Sequence, residues 1–406
     1  MKEMTEREIV IVDGVRTGFG NIGGSLRDFY PTELSAIAVR GLLAKTKILE
    51  HGGKVDSLFC GSAFCDAQSI NPARYIALAS GLPYETSATY VEMQCGSAIN
   101  AINLAAWKML AGAADVMIVG GMESHSQVVA KFPTSVTPYK NIAPAAINQK
   151  LAPTADQDIS MIEVSDGMAK RWGISREQCD EFALRSQQRA SVAIDKGYFK
   201  EEIVPITIKG SKKTPDIFFA EDEFVRRGTS MESLNKLNPV LGGNGVTTAG
   251  NASGRNDGAA FVLMMTAEKA KELGYTSYAR WICGTDYGVE PRYMGIGPVY
   301  SNLITLKRVG LRLRDIGVYE CNEAFAAQNL SVIKEMEIQT GEKIDQANWN
   351  PNGGAIAFGH PNGASGARIC IFAMKELERR GSKYGLFSAC CGGGHGVSIL
   401  IENLRR

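Results

Sequence analysis

The stretch NGGAIAFGHPNGASG, Asn352 to Gly366, decides how the chain is read. It is rich in glycine, yet it carries His360, one of only four histidines in 406 residues. GARICIFAMKELERRG follows from Gly366, with apolar residues at helical spacing, so the imidazole belongs to a glycine-bracketed loop at a helix start. Glycines lack a Cβ and let backbone approach a ligand closely. The first N–H groups of the helix have no intrahelical partner and point into the same space. An imidazole held there can take and return a proton near neutral pH. A lone histidine in a long chain can equally be structural, so the rest of the chain has to decide.

Working outward, a second loop of the same kind surrounds Cys95. TSATYVEM (Thr86–Met93) reads as a strand that runs into Cys95, GSAINAINLAAWKMLAG turns helical from Gly96, and ADVMIVGGMES returns as a strand. The same order recurs around His360: loop, helix, then the strand KYGLFSACC. VDSLFCGSAF and IGVYECNEAF also parallel one another. These matches predict two related halves whose approximate twofold axis brings Cys95 and His360 together. Earlier strands and helices alternate: Ile9–Val12 as a buried strand, PTELSAIAVRGLLAK as a helix capped by Thr32, VDSLFCG as a strand, and NPARYIALASG as a helix opening at Pro72 and stopping at Gly81. Alternation of this kind predicts a layered α/β domain. From about residue 124 to 245 it lapses. FPTSVTPYKNIAPAAINQKLAPT has no period, and a long helix follows Ser175, with Gln178 completing a capping box. An inserted loop domain is expected there, with strands GAAFVLMMT and TSYARWICGTDYG resuming the pattern.

Composition narrows the function classes. Hydrophobic content of 45% and charged content of 21% describe a globular protein. A net charge of +1 offers no electrostatic basis for nucleic acid or an anionic membrane as partner. The start, MKEMTEREIV, has no apolar run, so neither a signal peptide nor a membrane span is expected. Nine cysteines without a CxxC pair fit free thiols in a reducing cytoplasm.

Two cysteines are candidates for chemistry. A thiol at a helix start such as Cys95 has its thiolate favoured by unpaired N–H groups and the helix dipole; the alternative is a small buried hydrophobe. Cys390 ends a strand before three glycines, whose bare amides could line a pocket, while alternation turns Cys391 to the opposite face as packing. Asn322, at another strand end, is either a helix cap or a site residue. His51 reads as a surface residue closing a helix. His125 and His395 lie beside glycine turns, and a zinc site built from His125, His360 and His395 stays open on residue types alone, although no local ligand spacing supports it.

Cys95 in CGSA, the NEAFAAQ run, GGAIAFGHPNGASG and the Cys390–Gly396 segment CCGGGHG resemble, in order, the motifs of the thiolase family. VRTGFG, NPAR, GGMES, AGNASGRNDGAA and MGIGPV extend the resemblance over the whole chain. It implies duplicated βαβαβαββ halves in a five-layered αβαβα sandwich with an inserted loop domain. The N-terminal half would be 1–123 completed by 246–270, the loop domain 124–245, and the C-terminal half 271–406. It further implies Cys95 as acylated nucleophile, His360 as its activator and Cys390 as proton donor and acceptor. Asn322, through a water, would join His360 around an enolate oxygen. The N–H groups of Cys95 and Gly392 would form a second hole, and Ser253 would contact coenzyme A. The implied reaction is thiolytic cleavage of a 3-oxoacyl-CoA, or the reverse Claisen condensation, with coenzyme A as substrate and no permanent cofactor or metal. A homodimer or homotetramer is implied, with an accessory subunit open and tetramer contacts around 126–159.

Departures from the family pattern bear on the substrate. Glu92, Met93 and Gln94 replace the usual Asn and basic residue, Ser160-Met161-Ile162 replaces the loop motif HMG, and Asn362 stands for the leucine after GHP. His125 and His395 occupy frequent methionine positions. They predict an acyl group other than a short linear one: branched, aromatic or carboxylated. Rival readings are a ketosynthase, which would need a second histidine at Cys390, a non-catalytic acyl-CoA binder, which would lack Cys95, and a cysteine protease of Cys95, Asn322 and His360.

Overall fold

The computed structural model describes residues 7–64, 66–133, 145–210 and 214–406. Cys65 and part of the region expected to make tetramer contacts, 134–144, lie outside the described residues. Nine of the eleven described strands of the main sheet form its path: β1 (Ile9–Thr17), β2 (Ser57–Gly61), β3 (Ser87–Val91), β4 (Val116–Ser124), β5 (Asn256–Thr266), β6 (Ala279–Gly288), β7 (Ile316–Cys321), β8 (Tyr384–Cys391) and β9 (His395–Asn403). The helices that position the site are α1 (Pro31–Thr46), α2 (Pro72–Ala79), α3 (Ser97–Leu110), α4 (Met161–Trp172), α5 (Arg176–Asp195), α6 (Gly297–Val309), α7 (Ala326–Thr340) and α8 (Asn362–Arg380).

Strand order is β7-β8-β9-β6-β1-β5-β4-β2-β3. The order reads as two copies of one sheet, β3-β2-β4-β5-β1 and β7-β8-β9-β6, joined where β1 and β6 pair antiparallel at Ile9↔Trp281. Even the missing fifth strand of the second copy has a trace, a parallel bridge between Tyr319 and Trp349 beside β7. The expected duplication is therefore present: β2 corresponds to β7, and the Cys95–α3–β4 run to His360–α8–β8.

Layering follows from what each helix covers. α1 packs on β1 and β5, and α6 on β8 and β9, as the outer layers. α3 and α8 pack on each other between the two half-sheets, α3 against β2 and β4, α8 against β4, β5, β7 and β8. Five layers, αβαβα, result. β4 and β5 are buried at every residue, which is why VMIVGGMES and NDGAAFVLMMT carry no alternation of polar positions. Between Ser124 and Asn256 the chain carries α4, α5 and a short two-stranded sheet, and it adds only the strand Ile203–Val204, parallel to the end of β1, to the main sheet.

Most helix signals hold. Asn71 accepts from the Arg74 N–H at the start of α2, and Ser175 and Gln178 exchange hydrogen bonds at α5. Two do not. Tyr30, not Thr32, is the N-cap of α1, because Pro31 has no N–H and suits the first helical position; Thr32 is buried inside the helix. The end of α1 is closed by Lys47 in a left-handed conformation, φ 52°, and exposed His51 lies beyond it.

Candidate active site

His360 sits where three segments meet. Its backbone N–H donates to Gly254 O (3.2 Å) and to Asn256 Oδ1 (3.0 Å). Gly359, φ 87°, makes that approach possible: a Cβ there would come within 2.1 Å of Asn256 Oδ1. On the side chain, Nδ1 lies 2.6 Å from Ser365 Oγ, whose own hydrogen is directed to Pro361 O at 3.2 Å. Ser365 therefore accepts, Nδ1 carries the proton, and Nε2 keeps its lone pair. That lone pair faces Asn322 Nδ2 at 3.3 Å. Asn322 caps no helix, since α7 begins at Ala326 with Phe325 as N-cap. Its Oδ1 is buried without a protein partner among the described residues, leaving an acceptor available beside the imidazole.

Cys95 comes from the other half. It lies in a 3-10 turn, Gln94–Gly96, two residues before α3. Gln94 is held at φ 47°, a costly conformation for a non-glycine residue. Glu92 Oε1 steadies it by accepting from Gln94 N (2.7 Å), and Ser97 Oγ bridges Met93 N and Gln94 O. The unusual Glu92 is thus part of the turn that aims the thiol. Against the burial that raises its pKa, the backbone N–H groups of Cys95 and Gly392 act to lower it. Asn362 Nδ2, two residues after His360, lies 3.5 Å from Cys95 Sγ. Cys390 is close enough that charge on Cys95 raises its own pKa. Cys391 packs the other way, into the middle layer against Gly96 and Val397.

Ser253 donates its N–H to Ala324 O at 3.0 Å and directly precedes Gly254, whose carbonyl accepts from His360. His125 joins the group through Asn362, whereas His395 is exposed at the start of β9 and no hydrogen bond links it to either of the other histidines. The structure thus brings together Cys95, His360, Asn322, Cys390 and Gly392, with Ser253 at the edge, and leaves His395 out.

Electrostatics amend one expectation. Burial, followed by the charge of Glu123, pushes the Cys95 thiol up to about 12, outweighing the two backbone donors. A helix start by itself does not make a resting thiolate here. Burial likewise drives Cys390 well above the usual thiol range. It lowers His360 to about 3 and His125 to about 4. At neutral pH the site therefore rests as two thiols and two neutral imidazoles, and a proton can leave Cys95 only in step with bond formation.

Sequence reasoning passed over Glu123, Arg255 and Ser365. Buried Glu123 accepts from Ser62 Oγ (2.9 Å), Ala63 N (2.8 Å) and Gly363 N (3.1 Å), clamping the start of α8 to β4. Its signal was a carboxylate at the end of an otherwise apolar strand. Arg255 pairs with His360 across a parallel bridge and was the one cation inside AGNASGRNDGAA.

This constellation has known counterparts. Residues 9–268 match the family model "Thiolase, N-terminal domain", and residues 275–403 match "Thiolase, C-terminal domain". The acetyl-CoA acetyltransferase of Allochromatium vinosum is 38% identical, covering 98% of this chain and 99% of that protein. A 3-oxoadipyl-CoA/3-oxo-5,6-dehydrosuberyl-CoA thiolase of Escherichia coli K12 is 40% identical over 98% of this chain and 100% of its own length. The crystal structure of human mitochondrial 3-ketoacyl-CoA thiolase in complex with CoA superposes with a TM-score of 0.88 at 37% identity, covering 98% of each chain. Two half-sheets that each deliver one reactive loop to a shared cleft, matched over the full length by these enzymes, place the chain in the thiolase family, as an acyltransferase.

Proposed function

We propose that the protein cleaves a 3-oxoacyl-CoA with coenzyme A, or runs the same steps backwards, through an acyl group carried on Cys95. The observation that carries this reading is the arrangement around that sulfur: backbone N–H groups of Cys95 and Gly392 act to lower its pKa, and neutral His360 presents Nε2 beside Asn322. As the Cys95 sulfur bonds to the 3-oxo carbon, its proton passes to His360 Nε2. The two N–H groups receive the negative carbonyl oxygen. The bond between C2 and C3 then breaks, leaving the pair of electrons on a thioester enolate, whose oxygen His360 and Asn322 hold. Cys390 gives its proton to that carbon, and the proton on His360 restores Cys390. In the second half, His360 takes the proton of coenzyme A. The new thiolate displaces Cys95 from the acyl group, and the Cys95 sulfur recovers its proton from His360. One 3-oxoacyl-CoA and one coenzyme A give two acyl-CoA molecules, so the kinetics are ping-pong.

Of the branched, aromatic and carboxylated acyl groups, the carboxylated one is favoured. Arg255 is exposed next to His360, only its Nε is engaged, and its terminal nitrogens make no hydrogen bond to the described residues. A guanidinium whose two terminal nitrogens are both free matches a carboxylate in geometry and charge. The E. coli relative named for 3-oxoadipyl-CoA is a thiolase of a dicarboxylic chain. Steady-state turnover against a panel of 3-oxoacyl-CoA thioesters tests this: kcat/KM is expected to be highest for a terminal carboxylate and to lose that preference in Arg255→Met. Equal rates for acetoacetyl-CoA and the carboxylated substrate would overturn the preference.

We also infer a homo-oligomer in a reducing compartment. β3 closes one end of the sheet order, so its outer edge has no strand partner among the described residues, and a second copy could cover it. All eight described cysteines are free. No described helix is long and apolar enough to cross a membrane. Light scattering in solution measures the oligomer directly.

A further inference from the structure

Three side chains that the mechanism does not use form a line ending on the nucleophile. Arg255 Nε lies 3.4 Å from His125 Nδ1, His125 Nε2 lies 2.9 Å from Asn362 Oδ1, and Asn362 Nδ2 lies 3.5 Å from Cys95 Sγ. They come from three separate segments: the turn before β5, the turn after β4, and the first residue of α8. His125 is buried, and its ring meets Phe64 edge-on at 5.3 Å.

The direction of every hydrogen bond in this line is set at its far end. A guanidinium has no acceptor, so Arg255 can only donate to His125 Nδ1. With Nδ1 accepting, a neutral imidazole must carry its hydrogen on Nε2 and donate to Asn362 Oδ1. That in turn fixes the amide so that Nδ2, the donor, is what faces Cys95. A freely flipping amide could offer the sulfur its oxygen, which would repel a thiolate.

We propose that Arg255, His125 and Asn362 form a hydrogen-bond chain of fixed polarity whose last donor stabilises the Cys95 thiolate as it forms. Asn362 touches the reacting atom; His125 and Arg255 are positioning residues. The inference rests on the reading of Cys95 as the acylated residue and adds a third, side-chain donor to its two backbone donors. The groups facing that sulfur from the surrounding elements make the addition worthwhile. Glu123 from β4 and Glu92 ahead of its own turn are carboxyl groups whose charge raises the Cys95 pKa, the Glu123 carboxyl being itself pushed by burial up to about 7; Cys390 and Cys391 from β8 are thiols that burial keeps protonated, and His360 is neutral. Asn362 is the one uncharged side-chain donor placed on the sulfur among the described residues.

The test follows alkylation of Cys95 by iodoacetamide, peptide by peptide in a mass spectrometer, between about pH 7 and 9, where the rate tracks the thiolate fraction. Asn362→Leu is expected to slow labelling roughly five- to tenfold at every pH, the upper end of what an ordinary hydrogen bond contributes. His125→Met and His125→Gln separate polarity from packing, because neither touches the sulfur. Glutamine can accept from Arg255 and donate to Asn362, so it is expected to stay within about twofold of the parent while methionine falls toward the Asn362→Leu rate. Parent-like labelling of Asn362→Leu, or equal slowing by the two His125 variants, would overturn the proposal. Alkylation reads the sulfur alone. Capture of an acyl group on Cys95 from an acyl-CoA, measured separately, reads the catalytic assignment, so either idea can fail without the other.

Discussion

Asn322 Nδ2 stands 3.3 Å from His360 Nε2, so the basic lone pair of the imidazole already faces a donor. The contact is long, and it must loosen when Nε2 takes a proton and becomes a donor itself. Asn322 then has only its buried Oδ1 to offer the imidazolium or a bridging water. Asn322→Ala is expected to lower kcat about a hundredfold, as removal of an oxyanion donor does, with KM little changed. Asn322→Asp places a carboxylate against the ring and raises the His360 pKa, so its activity should recover as pH increases. Parallel pH profiles for the parent and Asn322→Asp would count against the assignment.

Acid should weaken the fold through the same imidazole. Burial holds His360 neutral down to about 3, against an ordinary value of 6.5. Between those values the unfolded chain binds a proton that the folded chain refuses, so stability is full above about pH 6.5 and is lost as pH falls toward 3. The slope from one such group approaches about 1.4 kcal/mol per pH unit. His125, lowered to about 4, adds a second contribution of the same sign. Urea unfolding of His360→Gln between about pH 4.5 and 6 is expected to show a visibly flatter dependence than the parent. An unchanged slope would mean that the ring is not protected as described.

How far these features were legible in the sequence follows from their physics. Cys95, His360 and Cys390 could be picked out because each puts a reactive atom at a strand end or helix start close to glycine, and Asn322 because it ends a strand, all local patterns. The duplication was legible for the same reason, since VDSLFCGSAF and IGVYECNEAF fold into the matching strands β2 and β7. Asn362 stands out in the sequence only as a departure, and His125 only as a departure and a candidate zinc ligand, because their hydrogen bond spans 237 residues and no periodicity reports it. The thiol of Cys95 was expected to favour its charged form. A helix start can be read locally, but the burial and the Glu123 charge that oppose it depend on how two half-sheets close over each other. Thr32 was misplaced by one local rule overruling another, proline's fitness for the first helical position against threonine's as a cap.

At Gly363 the two halves pack backbone against backbone behind the site. A Cβ on it would lie 2.3 Å from Met122 O and 2.4 Å from the Cα of Ser62, both backbone atoms that cannot give way cheaply. Its N–H also donates to Glu123 Oε2 at 3.1 Å. Gly363→Ala should therefore push the start of α8, with Asn362 and Ser365, away from β4, at a cost of about 1–3 kcal/mol. Activity should fall much further than stability, because misplacement by about 1 Å can cost a hundredfold in rate. Comparing the thermal midpoint with kcat for this variant checks both halves of the statement. A variant that lost stability and activity in proportion would mean that the site is not especially dependent on this contact.

Arg16 ties the inserted segment to β1. Its Nε donates to Glu202 (2.7 Å), and its two terminal nitrogens donate to the two oxygens of Asp222 (2.6 and 2.8 Å), all with buried side chains. The two carboxylates, with the matching hydrogen bonds, hold the guanidinium charged despite its burial. Rings of Phe19, Phe199 and Phe372 flank it at 5.4–5.5 Å. Removing one member of a buried ion group leaves the others uncompensated, so Arg16→Met is expected to cost about 3–5 kcal/mol. Glu202 and Asp222 both belong to the stretch between β4 and β5, so the loss should first free that stretch and only then unfold the sandwich. Limited proteolysis is expected to cut Arg16→Met between residues 196 and 230 under conditions that leave the parent intact. Cleavage at the same rate in both would show that the inserted segment is held chiefly by its other contacts, α5 against the turn before His360 among them.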